Sequence, residues 1–295
     1  MFLFAESVEH TPLIVQFINH YLGEPVHNFQ MAYTHPIWVK VFANLGTTPE
    51  AVFGAYTVEN AIPWYTIMFV IACLLTFFLV WLFKGKLSED DPTHGQLTLE
   101  AGFLTLKDMV VNVIGEDGFK YFPVVATFGV LILVSNLMGM VPLFLAPTGS
   151  VNVTFALGIT SFVYFNYAGI KENGLWGYIA HFAGPKLPLY MIPITALIFG
   201  IEIVSTSIRP LTLGVRLFAN MFADEQISSQ IAGLAPPYTQ ILVPIFLMPL
   251  AVFVAFVQTL VFTLLSMIYI SLVVSHDHGH EEHADAHGET AAAHA

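Results

Sequence analysis

The sequence predicts an all-α integral membrane protein with about five transmembrane helices, the last two of them long and strongly tilted, and one amphipathic helix on the membrane surface. Two observations lead to this fold class. Of the 295 residues, 56% are hydrophobic and only 10% are charged, whereas about 25% of the residues in a typical soluble domain are charged. In addition, several uncharged segments reach or exceed the roughly 20 residues that a helix needs to cross a bilayer.

Net charge and cysteine content exclude two classes of function. The formal net charge of −12 leaves no basic stripe of the kind that binds a nucleic-acid backbone, so we expect the lipid bilayer as a partner and no nucleic acid. The single cysteine, Cys73, excludes an intramolecular disulfide and a metal site built from cysteines.

The first predicted span runs from Ala61 to Phe83, a stretch of 23 residues without a charge. At a rise of about 1.5 Å per residue, a helix of this length covers the roughly 30 Å hydrocarbon core. Trp64 and Trp81 lie near its two ends, where amphipathic rings prefer the headgroup level. Residues 1–60 are predicted to form an N-terminal external segment.

A surface helix is predicted between the first and second spans. Over residues 97–113, apolar and charged side chains share the pattern of a helix with two faces: Leu99, Phe103, Leu106 and Val110 against Glu100, Lys107 and Asp108. This pattern is typical of a helix that lies on the membrane surface. A connector packed on other protein would show the same pattern.

A helical hairpin is predicted between Lys120 and Lys171, where 50 consecutive residues carry no charge. That length is about twice what one spanning helix needs. Pro142, Pro147 and Gly149 interrupt the middle of the stretch, so two spans are expected, joined in a hairpin.

Two long helices are predicted in the last third of the chain. Residues 189–233 are apolar but carry five charged side chains, namely Glu202, Arg209, Arg216, Asp224 and Glu225. Residues 238–275 then run without a charge for about 57 Å if fully helical, which is nearly twice the bilayer core. Such helices must lean or bend, and Pro244 and Pro249 offer places to bend. We therefore assign residues 61–275 to one transmembrane domain.

Lysines mark the predicted cytoplasmic side, because cytoplasmic loops carry an excess of basic residues. Six of them fall on one predicted side of the membrane: Lys84, Lys86, Lys107, Lys120, Lys171 and Lys186. Five spans then place the N-terminus outside and the C-terminus in the cytoplasm. The tail, residues 276–295, holds six histidines among five acids. Such tracts can bind metal, but the irregular spacing and the lack of apolar anchors favour disorder.

Two arginines, Arg209 and Arg216, lie in a segment that otherwise belongs in hydrocarbon. An arginine at bilayer depth costs on the order of 3 kcal/mol, so it needs a partner or an aqueous cavity. Four polar side chains share one helix face within about 40°: Glu202, Arg209, Arg216 and Asn220. Glu225 points to the opposite face. Because arginine keeps its proton, Arg216 can hold an anion or repel cations, while the carboxyl of Glu225 can titrate.

Structural roles explain the same charged residues. Arg209 and Arg216 can pair with Glu202 or extend to an interface. Asp224 and Glu225 can cap the outer end of the helix.

Two amides mark the other helices. Gln258 is a strongly polar side chain on the last helix, and a buried amide in lipid is expected to face protein or water. A channel lining and a hydrogen bond between helices both fit it. Asn136 lies on the second span, where a hydrogen bond between helices fits best.

At LGVRLFANMFADE, residues 213–225, the sequence closely resembles the signature of the a subunit of F-type ATP synthases, the stator channel beside the ring of c subunits. Three other stretches are similar to the same family: VSNLMGMVPLFLAPTGSVNVTFALG at 134–158, IEIVSTSIRPLTLGVR at 201–216 and AFVQTLVFTLLSMIY at 255–269. Together with the span pattern, the similarity covers roughly Ala61 to Ser275. The combination is far more specific than any one motif.

The resemblance implies a role for each matching residue. Arg216 matches the family's essential arginine, which faces the rotor carboxylates and separates two aqueous half-channels. Glu225 matches a proton-access carboxyl, and Gln258 matches the glutamine opposite the arginine. Asn220 matches a polar position beside the arginine, and Glu202 matches one beside the access path. Asn136 matches a polar position near the outer half-channel.

One position departs from the family. Some members carry a histidine that cooperates with the access carboxyl, and the equivalent residue here is Ala251. Asp224, next to Glu225, is the group that would compensate for it.

The resemblance implies a non-catalytic, proton-translocating subunit whose two half-channels and arginine couple ion flow to rotation of the c ring. The b subunits of the peripheral stalk and the remainder of the complex are the other expected partners, and a bacterial cell inner membrane is the expected location. No cofactor is expected, since the sequence contains no GxxxxGK[ST] run for phosphate binding. The alternative is a multi-span secondary transporter that binds an anionic substrate at Arg216. A membrane scaffold is a third class, but it would leave the polar stripe without a purpose.

Overall fold

The structure is a computed structural model that describes residues 12–43, 46–49, 57–58, 61–85, 88, 92–141, 144–182, 192–232 and 238–274. The predicted disorder of the tail, residues 276–295, lies outside these residues, as does part of the N-terminal segment. The helices described are α1 (Leu13–Phe29), α2 (His35–Ala43), α3 (Trp64–Lys84), α4 (His94–Ile114), α5 (Phe122–Met138), α6 (Val151–Phe182), α7 (Ile192–Ala232) and α8 (Tyr238–Val274).

Five helical segments within the described ranges are long and apolar enough to cross a membrane. They are Trp64–Lys84, Gly118–Met138, Val151–Tyr178, Leu197–Ile227 and Leu247–Val274. No β-strand occurs among the described residues. The predicted all-α membrane fold with five spans is therefore confirmed.

The predicted hairpin is formed by α5 and α6. The connector between them includes a 3-10 turn, Pro147–Gly149. A Cβ on Gly139 would lie only 2.7 Å from the Cβ of Ala146, so a glycine at the end of α5 lets the connector pack closely against it. The helix α6 continues to Phe182 with a break at Gly174, whose φ of 69° lies in the left-handed region that favours glycine.

The predicted amphipathic helix is α4. It begins after Thr93, whose side chain accepts a hydrogen bond of 3.3 Å from the backbone N–H of Gln96 and so caps the helix. It ends at Ile114 and is followed by Gly115, where the backbone has a φ of 104°. Glycine adopts this conformation without the steric cost that other residues incur.

The last two helices are as long as the sequence predicts. The helix α7 has 41 residues and α8 has 37, so they are about 62 Å and about 56 Å long at 1.5 Å per residue. The helix α7 continues through Pro210, and α8 continues through Pro244 and Pro249. Because a bilayer core is about 30 Å thick, strong tilt stays the prediction for both.

The N-terminal segment contains two helices that were not predicted from the sequence. Here α1 and α2 are joined by a π-helical turn, Gln30–Thr34. Pro25 lies inside α1 and Pro36 near the start of α2, and prolines inside a helical pattern usually indicate a break.

The chain divides into two compact units, each with its own core. The first comprises Met1–Lys84, Val130–Ala156 and Gly214–Thr259, and its core contains Val15, Ile67, Met68, Ala72 and Met138. The second comprises Gly85–Gly129, Leu157–Leu213 and Leu260–Ala295, and its core includes Val110, Tyr121, Phe165, Met267 and Ile270.

Side-chain hydrogen bonds connect two helices within the second unit. The hydroxyls of Ser161 and Ser266 lie 3.1 Å apart, and the amide of Asn173 donates to the backbone carbonyl of Val273 at 2.8 Å. These bonds join α6 to α8, which stabilises the packing of two membrane helices.

Candidate functional site

The first compact unit holds Arg216 on the outer side of α7. A Cβ on Gly214 would lie 3.1 Å from the carbonyl oxygen of Thr154 and 3.3 Å from the Cα of Phe155. Glycine therefore lets α7 approach the backbone of α6 closely. Arg216 lies about 160° around the helix from Gly214, and its side chain is exposed.

Arg216 has no hydrogen bond or ion pair with any residue that the structure describes. It nevertheless lies well inside the membrane-crossing segment Leu197–Ile227. A guanidinium is charged at all accessible pH values. The structure thus places a permanent positive charge at membrane depth with no partner among the described residues.

One helical turn beyond the arginine, an amide pair joins α7 to α8. The Nδ2 of Asn220 donates to the Oε1 of Gln258 at 2.6 Å. Gln258 is only 2% exposed, and its Nε2 has no hydrogen-bond partner among the described residues. Because residues four apart on a helix are neighbours, this bond places Gln258 near the level of Arg216.

A second polar cluster lies at the α5–α6 connector. The hydroxyl of Thr148 donates to the Oδ1 of Asn136 at 2.7 Å, and both side chains are fully buried. The Nδ2 of Asn136 and the Oγ of Ser135 are also buried, without a partner among the described residues. Buried polar atoms normally have hydrogen-bond partners, so this cluster is suited to binding a water molecule or passing a proton.

Glu225 approaches the same connector from α7. A Cβ on Gly149 would lie 3.3 Å from the Oε2 of Glu225, so the carboxyl group lies against a residue that has no side chain. Thr148, the neighbour of Gly149, is the residue bonded to Asn136. The structure thus brings Glu225 and Asn136 to one turn, Pro147–Gly149.

The hydrogen bond from Thr148 to Asn136 was not predicted from the sequence. A threonine in a connector has no helical periodicity that would single it out, and its partner is twelve residues away in the chain. The Gly149 contact was missed for the same reason, since glycine shows its use only when a neighbour is in place.

Glu202 and Arg209 form a separate arrangement in the second compact unit. The Nη2 of Arg209 lies 3.4 Å from the Oε1 of Glu202, and its guanidinium lies 5.3 Å from the centroid of the Tyr269 ring. A cation over an aromatic face is attracted to it. Arg209 thus has partners within its own unit, and the one with Glu202 is the pair that the structural interpretation of the sequence named.

The described residues contain no group of three or more His, Cys, Asp or Glu side chains that could hold a metal ion. Ala251, at the position where some family members have a histidine, is half-buried on α8, and Asp224 is half-buried beside Glu225. Taken together, the groups of the first unit can hold an external anion at Arg216 and bind protons at a carboxyl.

Comparison with known proteins gives consistent matches. The sequence model of a family described as "ATP synthase A chain" matches residues 66–271. A protein named ATP synthase subunit a from Solibacter usitatus is 39% identical over 211 residues, which cover 72% of this chain and 86% of the relative. One of the same name from Aquifex aeolicus is 36% identical over 204 residues, covering 68% of this chain and 92% of the relative. Another, from Bdellovibrio bacteriovorus, is 43% identical over 173 residues, covering 59% and 70%.

Proposed function

The chain belongs to the ATP synthase A chain family, and on this basis we propose that it is the proton-translocating a subunit in the membrane sector of an F-type ATP synthase. It provides two half-channels and the arginine that couple ion flow to rotation of the c ring. It is a non-catalytic subunit, and its partners are the c ring, the b subunits of the peripheral stalk and the remainder of the complex.

The observation that carries this proposal is the exposed Arg216 inside a membrane-crossing helix. An arginine facing lipid costs on the order of 3 kcal/mol or more. A carboxylate on a neighbouring subunit offsets that cost, because opposite charges at close range attract strongly where water is scarce. A rotor that presents acidic side chains to α7 meets this requirement.

The positive charge of Arg216 also explains how rotation couples to proton flow. A rotor carboxyl that reaches the guanidinium is favoured in its charged form and releases its proton into one half-channel. To turn back into lipid it must take a proton from the other half-channel, because an ionised carboxylate in hydrocarbon is costly. Each step of rotation therefore moves a proton.

The polar groups at the Pro147–Gly149 turn support an access path on one side of Arg216. Glu225 supplies a carboxyl that can take up and release protons, with Asp224 beside it in place of the histidine missing at Ala251. Asn136 and Thr148 supply buried hydrogen-bonding groups next to it. Asn220 on α7 and its hydrogen-bond partner Gln258 on α8 keep amides near the arginine. Glu202, paired with Arg209, lines the approach along α7.

The size of the driving force fits a stepwise rotary device. A charge that crosses the whole membrane gains about 2.3 kcal/mol per 100 mV. Several protons must therefore pass for each ATP made elsewhere in the complex. No nucleotide chemistry is assigned to this chain.

We place the chain in a bacterial cell inner membrane as a multi-pass protein, with its N-terminus outside and its C-terminus in the cytoplasm. Residues 1–60 form the external segment and residues 61–275 the proton-channel domain. Residues 276–295 form a cytoplasmic tail, and its predicted disorder lies outside the described residues. The lysine distribution supports this orientation.

Replacing Arg216 tests the proposal. We expect Arg216→Ala to abolish proton-driven ATP synthesis in membrane vesicles, because the rotor carboxyl loses the charge that makes it release its proton. The complex should still assemble, as judged by co-purification of the other subunits. Leu74→Ala is the matched control, since Leu74 is exposed on a membrane helix and carries no charge. Full coupled synthesis by assembled Arg216→Ala complexes would refute the proposal.

The alternative function, a secondary transporter that binds an anion at Arg216, is supported by the same exposed arginine. Membership of the ATP synthase A chain family favours the channel subunit. Purification of the chain as a lone polypeptide that binds a small anion would reverse that preference.

A further inference from the structure

We propose that the helical segment Leu13–Ala43 lies along the bilayer surface at the end where the first span begins, with its exposed apolar face among the lipid headgroups. The segment comprises α1, the π-helical turn and α2. Nothing in the proton path requires it. Its location, its exposed side chains and its low charge each point to lipid as the occupant of that face.

Two amide side chains fix the segment at the point where the chain enters the membrane. Asn19 is 4% exposed and makes two bonds to Ile62, donating from Nδ2 to the carbonyl at 3.1 Å and accepting from the N–H at 3.2 Å. The Nε2 of Gln30 donates to the carbonyl of Ala61 at 2.8 Å. Ala61 and Ile62 come directly before Trp64, where α3 begins.

Apolar packing supports the same location. Val15 on α1 is buried against Ile67, Met68 and Ala72 in the first turns of α3. Gly23 lies so close to the backbone carbonyl of Val58 that a Cβ would overlap it. The helix α1 is therefore held at the depth where the first span meets the bilayer boundary, and its remaining faces are presented to that boundary.

The remaining surface of α1 separates into a polar face and an apolar face. At 100° per residue, one arc of about 80° is mainly polar and includes Gln16, His20, Glu24 and His27. A different arc of about 140° carries large apolar side chains that the fold leaves exposed: Phe17, Tyr21, Leu22 and Phe29. This separation is typical of a helix that lies in an interface plane.

The second helix of the segment extends the apolar surface. No side chain of α2 is buried among the residues that the structure describes. Ile37, Trp38, Val39 and Val41 are all at least 39% exposed. Over residues 13–43 only Glu24 and Lys40 are charged at neutral pH with histidine neutral. So large an exposed apolar surface marks an interaction site.

The composition of the surface favours lipid headgroups over another protein. Tyr21, Tyr33 and Trp38 combine an apolar ring with a polar group, and such side chains concentrate at the headgroup level of membranes. The surface is also continuous with the boundary at which α3 enters the bilayer. A lipid surface is present there by necessity, since the first span must cross it.

Lipid-depth measurements on the intact complex test this inference. In a Cys73→Ser background, the single variants Leu22→Cys, Phe29→Cys and His20→Cys are labelled with an environment-sensitive fluorophore. The complex is then reconstituted in phosphatidylcholine vesicles that contain lipid with a nitroxide on the headgroup. Leu74→Cys on α3 provides a label within the hydrocarbon. We expect Leu22 and Phe29 labels to be quenched at least about twofold more than the His20 label, as for a helix lying in the interface.

Quenching that is equally weak at Leu22, Phe29 and His20 would overturn the inference, whether water or another subunit covers the face. An adjacent pair of substitutions gives a second measurement. With the label at Phe29, Tyr21→Asp should reduce quenching by nitroxide lipid at least about twofold, because a charge on the apolar face opposes its insertion, whereas His20→Asp on the polar face should not. Equal effects of the two substitutions would contradict the proposal.

Discussion

At the scale of single residues, Gly149 controls the space around the carboxyl of Glu225. We predict that Gly149→Val slows proton-driven ATP synthesis to the level of Glu225→Gln and alters its dependence on pH in the same way. A Cβ at Gly149 would lie 3.3 Å from the Oε2 of Glu225. Because the Glu225 side chain is flexible, we expect the valine to push its carboxyl group away from the connector. The measurement is the synthesis rate in vesicles as a function of pH.

The control for this prediction is Gly102→Val on α4, where an added Cβ would meet nothing within 4 Å. Its rate and pH profile should stay close to those of the unsubstituted complex. A pH profile for Glu225→Gln that matches the unsubstituted complex would remove Glu225 from the proton path.

Thr148 provides a prediction about stability. We expect Thr148→Val to destabilise the protein by about 1–3 kcal/mol, the usual cost of leaving a buried polar atom without its hydrogen bond. The bond lost is that from the Thr148 hydroxyl to Asn136, both of them fully buried. The half-life of the detergent-solubilised complex at elevated temperature reports the loss.

Thr105→Val is the matched control, because the Thr105 hydroxyl is exposed and bonds only to the carbonyl of Ala101 within its own helix. An equal half-life for the two variants would show that the Thr148 bond contributes little. Neither the bond nor its importance could be predicted from the sequence, since the turn that brings Thr148 to Asn136 depends on the packing of the connector.

At the scale of helices, the close approach of α7 to α6 at Gly214 positions the arginine. We predict that Gly214→Val reduces coupled ATP synthesis several-fold, because a Cβ there would press on the backbone of Thr154 and Phe155, which cannot move aside as a side chain can. Arg216 is two residues away and would shift with the helix. Synthesis rates normalised to assembled complex provide the measurement.

The matched control is Gly200→Val, which is on the same helix and meets nothing within 4 Å. It should retain most of the activity. Similar losses in both variants would mean that valine in α7, and not contact at Gly214, is responsible.

The number and type of the spanning helices could be predicted because length and low charge decide them. An uncharged run of more than 20 residues has few alternatives to a membrane helix. The helices α1 and α2 could not be predicted in this way. Apolar side chains lie both on the face that packs against the protein and on the exposed face, so the sequence shows no clear helical period. In addition, Pro25 and Pro36 indicate breaks at positions where the helices continue.

The candidate site could be predicted only in part, for a similar physical reason. Arg216, Gln258 and Glu225 stand out because a charge or an amide is costly among apolar residues. Their hydrogen bonds and neighbours depend on which helices meet, as with Asn220 and Gln258, 38 residues apart. Hydropathy and periodicity contain no information on such pairings.

At the scale of the whole molecule, the proposed orientation can be measured directly. In a Cys73→Ser background we expect a membrane-impermeant maleimide to label Thr47→Cys in intact spheroplasts. Lys171→Cys should be labelled only after the membrane is opened, because the lysine distribution places that end of α6 in the cytoplasm. Both side chains are exposed. Labelling of Lys171→Cys in intact spheroplasts would reverse the assigned orientation.

The Arg209 interactions with Glu202 and Tyr269 bear on how many stopping points a rotor would meet. The helix α7 carries two guanidinium groups, and a rotor with acidic side chains would pause at each guanidinium that it could reach. Arg209 is already paired with Glu202 and Tyr269. Arg216 is then the one arginine of α7 left to attract a rotor carboxylate. A rotor under the proposed mechanism would then advance with a single dwell per acidic side chain, and freeing Arg209 from its partners would add a second.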